Sequence, residues 1–154
     1  GSEMKGERPK LTVEKADAAI MGFKTDTGYT YGGRQFAVTL KNSGTSVANE
    51  IRISIWPVFT DTLQIKLWPK KHFTKTIDKP SGDLYLTVPV LGEGESLQIL
   101  FNDKSLPVHM SRSFKQQTLF PRFFLFHASC MQGSSISDTI YTRWMELGLP
   151  TGGT

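Results

Sequence analysis

A chain of 154 residues, 38% hydrophobic and 21% charged, is sized for one domain and has a globular rather than a disordered make-up. Its formal net charge is only +4, and its single cysteine, Cys130, excludes an internal disulfide. No apolar run reaches the roughly 18 residues that a membrane-spanning helix requires.

Gly1-Ser2-Glu3-Met4 reads as a remnant of expression cloning, and residues 1–10 as a linker ahead of a domain over 11–149. Residues 11–19 form a first strand with Leu11 and Val13 on one face, and a Gly- and Thr-rich loop is expected over 24–33. Phe36, Val38 and Leu40 alternate with Gln35, Ala37 and Thr39, the period of a half-buried strand. Asn42-Ser43-Gly44-Thr45 supplies a turn, and Ile51, Ile53 and Ile55 repeat the alternation up to Pro57. Leu63, Ile65 and Leu67 make the next strand, ending at Trp68-Pro69. A basic loop over 70–79 leads to a turn at 80–83 and a strand carrying Leu84, Leu86 and Val88, closed by Pro89. Gly92-Glu93-Gly94-Glu95 turns the chain into a strand carrying Leu97, Ile99 and Phe101. Residues 105–121 read as a long loop or a short helix around 112–118. The aromatic run at 122–131 reads as a central strand covered on both faces. Residues 136–146 form the last strand, and 150–154 are coil.

Helical periodicity never persists for three turns, and turn residues recur every 8–15 positions or so. The expected fold is all-β, an antiparallel β-sandwich of about eight strands, with a closed or partly open β-barrel as the alternative.

Positive charge is clustered. No Asp or Glu lies between Lys104 and Ser137, a window that holds Arg112, Lys115 and Arg122. Lys66, Lys70, Lys71, Lys75 and Lys79 form a second run, near only Asp61 and Asp78. In the second run Trp68-Pro69-Lys70-Lys71-His72-Phe73 interleaves aromatics with cations. Such a surface can stack on a ring while holding a phosphate, with ~1–3 kcal/mol per stacked base. Equally, Trp68 and Phe73 can cap the core while the lysines keep a sheet edge soluble. The candidate ligand-binding residues are therefore Trp68, Lys70, Lys71 and His72, with Arg112, Lys115 and Arg122 as a second group.

The segment from Phe36 to Ile53 carries Asn42-Ser-Gly44-Thr-Ser-Val-Ala48 between two strands, and resembles a turn pattern of bacterial immunoglobulin-like domains. Glu7-Arg8-Pro9 and Val90-Leu91-Gly92-Glu93-Gly94-Glu95-Ser96-Leu97 are similar to segments of one such group. That group comprises small bacterial membrane-anchored proteins whose N-terminal helices precede a sandwich. The proline usual before the alanine is Val47 here. The resemblance implies an immunoglobulin-like sandwich and a membrane segment ahead of this sequence, and it carries no functional residues across.

Catalytic and metal signatures are not evident. His72, His109 and His127 are widely spaced, and Gly92-x-Gly94 lacks a third glycine and a following helix. Glu93 and Glu95 are expected to be solvated in their turn. His127 and Cys130, three apart along a strand, should face opposite sides, leaving Cys130 a packed thiol. No cofactor or metal is expected, and the chain reads as a non-catalytic binding, interaction or sensing domain. A cytoplasmic sensor of an anionic ligand such as a nucleotide signal is one alternative, and a periplasmic envelope-assembly or adhesion module another. The expected partners are a protein or an anionic small ligand, a membrane reached through an N-terminal segment, and further copies of the chain. Lys5, Arg8 and Lys10 beside such a segment favour the cytoplasmic side.

Overall fold

Side-chain alternation decides the layers. In the computed structural model, which describes residues 6–105 and 121–148, Phe36, Val38 and Leu40 are fully buried while the residues between them are only half-buried. The same in–out pattern runs through Ile51, Ile53 and Ile55, through Leu84, Leu86 and Val88, and through Leu97, Ile99 and Phe101. Each apolar row finds cover only against another row, so the strands stack as two layers.

In chain order the strands are β1 (Leu11–Thr25), β2 (Gly28–Asn42), β3 (Ala48–Trp56), β4 (Ile65–Trp68) and β5 (Thr74–Asp78). They continue as β6 (Asp83–Leu91), β7 (Ser96–Asp103), β8 (Phe123–Ser129), β9 (Ser135–Tyr141) and β10 (Arg143–Leu147). One five-stranded sheet has the order β10-β1-β2-β7-β4 and the other β5-β6-β3-β8-β9. All pairings are antiparallel except β1 with β10. Phe36 sits at the centre of the core, stacked on Phe101 at 4.8 Å and edge-on to Phe124 at 5.1 Å. The described residues thus form an antiparallel-dominated β-sandwich, and the two sheets do not close into the alternative barrel.

Among the described residues ten strands replace the expected eight or so, for local reasons. The Gly- and Thr-rich stretch at 24–33 is not a loop: β1 and β2 run on as a hairpin to Thr25↔Gly28. Gly28 and Gly33 take the positive φ values of 137° and 111° that this path needs. The basic loop at 70–79 contains β5, an edge strand of mostly exposed residues with too little apolar alternation to be read. The expected last strand at 136–146 breaks at Thr142, whose backbone N–H and hydroxyl donate to Arg122 O, and its halves join different sheets. Within β1 the register shifts between Val13 and Lys15. This moves the inward row from Leu11 and Val13 onto Ala18 and hides the strand's period.

Two further expectations are corrected. Pro89 does not close β6, which continues to Leu91. Asn49 pairs with Val90 and Ile51 with Val88, so Pro89 falls opposite Glu50, an irregular position at φ 47°. On its other side β5 pairs no further than Thr87, so the missing N–H costs no ladder bond there. Nor is β8 covered on both faces. Phe124, Phe126 and Ala128 point into the core, while Leu125 and His127 are exposed. Residues 106–120, and with them the loop-or-helix expectation, lie outside the described residues, as do 1–5 and 149–154.

Candidate functional site

The aromatic–basic segment lies at the outer strand of the first sheet. Among the described residues β4 is held by β7 alone, with Leu67↔Ile99 and Trp68↔Gln98 in register. Alternation turns Leu67 into the core and leaves Lys66 and Trp68 on the solvent face, Trp68 at 67% exposure. Trp68 and Pro69 are joined by a cis peptide. Residues 69–73 cross to the second sheet, where β5 begins. Phe73 tucks part of its ring against the core on the way.

An open groove of 740 Å³ follows β4. Its apolar lining includes Ile65, Leu67, Trp68 and Phe73, with Leu100 from β7, and its polar lining is Lys66, Lys70, Lys71 and Gln98. Among the described residues no carboxylate lines it. The lysines are not equivalent. Lys71 Nζ donates to Glu95 Oε1 at 2.9 Å and to the Val90 carbonyl at 3.1 Å. It thereby binds the crossover to the β6–β7 turn and caps a β6 carbonyl beyond the end of β5. Lys66 and Lys70, by contrast, have no ion-pair partner among the described residues.

Glu95 is correspondingly not the solvated turn residue expected. Partial burial works to raise its pKa, but the Gly92 N–H and the Lys71 ammonium outweigh this and hold it below the ordinary carboxylate value.

Of the sequence-predicted residues, Trp68, Lys70 and Lys71 meet in the groove, and His72 is exposed in the same crossover. Arg122 is exposed elsewhere. It immediately precedes β8, two residues before Phe124, whose ring lies under Arg34 at the end where Arg34 and Asp103 meet. Trp68 pairs near the opposite end of β7, about 17 Å of strand away. Arg112 and Lys115 lie outside the described residues, as does His109. Lys66 was named from sequence only as part of the basic run, and Gln98 and Leu100 were not singled out. The period-2 pattern turns each of them outward, but only the β4–β7 register makes them neighbours.

Elsewhere the polar groups do structural work. Arg34 and Asp103, both fully buried, pair at 2.9 Å. The guanidinium lies over the rings of Phe59 at 4.1 Å and Phe124 at 4.5 Å and donates to Pro57 O. Asp103 also accepts the N–H of Phe59, so the pair fastens the β3–β4 connection onto β7. Burial beside this pair pushes the Tyr31 hydroxyl up to about 12. Cys130 is buried and His127, exposed, contacts Ser137 Oγ at 2.6 Å, so the two do not form a pair. On the outer face of the second sheet Trp56, Phe123 and Tyr141 touch in sequence, with Tyr85 and Leu125 exposed on the same face. No helix among the described residues is long and apolar enough to cross a membrane, and no group of three or more potential ligands there could hold a metal.

No protein-family model matches the chain, and no curated protein matches it. Among solved structures it is similar to the GH20 exo-β-N-acetylglucosaminidase of Vibrio harveyi, as an inactive mutant and in complex with N-acetylglucosamine. In both the identity is 12% and the TM-score 0.34, over 89% of this chain and 19% of the enzyme. The chain thus spans a small part of that enzyme's length, and the likeness is too slight to speak to fold or activity.

Proposed function

We propose that this domain is a non-catalytic recognition module that takes an anionic partner in the groove over β4. One observation carries the reading. Trp68 stands mostly exposed between Lys66 and Lys70, two cations with no carboxylate partner among the described residues, above an apolar floor. Cations and an amide can hold an anion and an indole can cover an apolar or ring-shaped group, while a groove without a carboxylate or nucleophile favours binding over acid–base chemistry. The membrane-anchored, cytoplasmic setting is part of the same proposal. It rests on the resemblance carried by Glu7-Arg8-Pro9 and the two turn segments, and on Lys5, Arg8 and Lys10.

The test is a binding titration read by Trp68 fluorescence and by thermal melting, against a panel of nucleoside diphosphates and acidic peptides. A ligand at about 100 times its Kd should stabilise the fold by ~2.7 kcal/mol. Lys66→Glu with Lys70→Glu should weaken binding roughly tenfold or more while leaving the unliganded melting temperature almost unchanged. Trp68→Phe should remove the fluorescence response. If no anion in the panel moves either signal, or if binding survives the double charge reversal, the reading is wrong.

A further inference from the structure

We infer that the occupant of the groove is an extended acidic peptide segment that adds to β4 as a sixth strand of the first sheet; this deepens the proposed function and rests on it. The groove follows the β4 edge and laps onto the outer face of the sheet at Gln98 and Leu100 of β7. Residues from both sides of β4 line it, Leu67 from the core side and Lys66 and Trp68 from the solvent side. Among the described residues that edge pairs with nothing, because β4 is the terminal strand of its sheet and β5 belongs to the other. An open edge presents main-chain N–H and C=O groups that another main chain satisfies best.

The edge is also framed. Lys75 Nζ donates to Leu63 O at 2.6 Å just before β4, and Lys71 ties the crossover to Glu95 and Val90 O just after it. These two bridges close the side of the sandwich at both ends and leave the four residues Ile65–Trp68 open between them. The open stretch is ~13 Å long, room for about four residues of extended chain.

Alternation defines the chemistry of the occupant. Every second side chain of an added strand would face Lys66, Trp68 and Lys70, and the others would face Leu67 and Phe73. The matching segment therefore alternates acidic with apolar residues. The charge of the groove lining, entirely positive, selects against a basic segment.

The test uses the whole chain and a peptide of about eight residues alternating glutamate and valine, with ADP as a comparison anion. Two further peptides carry N-methyl groups at all glutamates or at all valines, which removes the main-chain donors on one side while keeping charge and side chains. Pairing predicts that the parent peptide binds and that β4 amides gain protection from hydrogen exchange. It also predicts that one N-methylated peptide loses roughly tenfold or more while the other binds nearly as well. Equal binding by both N-methylated peptides overturns strand addition and leaves the anion-binding groove standing. So does a response to ADP but not to the peptide. Silence from both ligands overturns the groove reading along with this one.

Discussion

The most demanding residues in this molecule are the polar ones held where water cannot reach. Arg34 and Asp103 carry opposite charges at zero exposure, and each is worth having only while the other is present. Asp103→Ala should cost ~3–5 kcal/mol in urea unfolding, because it strands a buried guanidinium. The double change to Arg34→Met and Asp103→Ala should cost less than the sum of the two single changes, and a double-mutant cycle measures the difference. Asn42 shows the neutral counterpart. Its amide donates to Ser46 O and Leu91 O, and its Oδ1 accepts from the N–H groups of Gly44 and Lys10, so a buried polar side chain has every group satisfied. Gly44, two residues on, has no room for a side chain, since an added Cβ would run into the main chain of Arg8 to Lys10. The Asn-x-Gly pattern legible in the sequence is therefore a stitch between the β2–β3 turn and the chain entering β1.

Among the elements, the β4–β5 crossover depends on an ion pair whose strength follows pH. Glu95 has a depressed pKa, so its contribution is fully present above the unfolded value near 4.5 and is lost as pH falls through the lower folded value. Being partly exposed, the Lys71–Glu95 pair contributes only ~0.2–1 kcal/mol. Glu95→Gln should accordingly be less stable than the parent at pH 7, and the gap should narrow on acidification to pH 3; a gap that widens in acid would contradict the assigned role. The strands themselves were legible wherever one face meets the core and the other meets water, as in β2, β3 and β7. β1 was half-hidden because a bulge shifts its inward row midway, and β5 because an edge strand needs no apolar row at all. The groove was legible in part. Trp68, Lys70 and Lys71 are contiguous and announce themselves, but nothing local tells that Lys71 is held by Glu95, 24 residues on, while Lys66 remains available.

Over the whole molecule, stability comes from one continuous core shared by both sheets. Phe36 contacts rings on both sides, Phe101 within its own sheet and Phe124 and Phe126 across the interface. Phe36→Ala should cost ~3–5 kcal/mol by chemical denaturation, the range for removing a fully buried aromatic whose surroundings cannot collapse to fill the space. The same substitution should leave the groove's ligand affinity nearly unchanged, since Phe36 does not line the groove. Among the described residues the cations of the groove and Arg122 lie at opposite ends of the sandwich, so reversing Lys66 and Lys70 should not be compensated by Arg122.

Taken alone, the order of residues determined that this chain is all-β with one apolar face per strand, because a period of two puts alternate side chains on opposite sides, and the structure decided for two stacked sheets over a barrel. It also determined where most turns fall, since Asn, Gly and Pro constrain the backbone within a few residues. Strand order, the switch of the chain between sheets at Thr142, and which lysine is clamped and which is open were decided only by the tertiary structure. Each of these depends on partners tens of residues apart, and hydrogen bonds and ion pairs of that kind have no local signature.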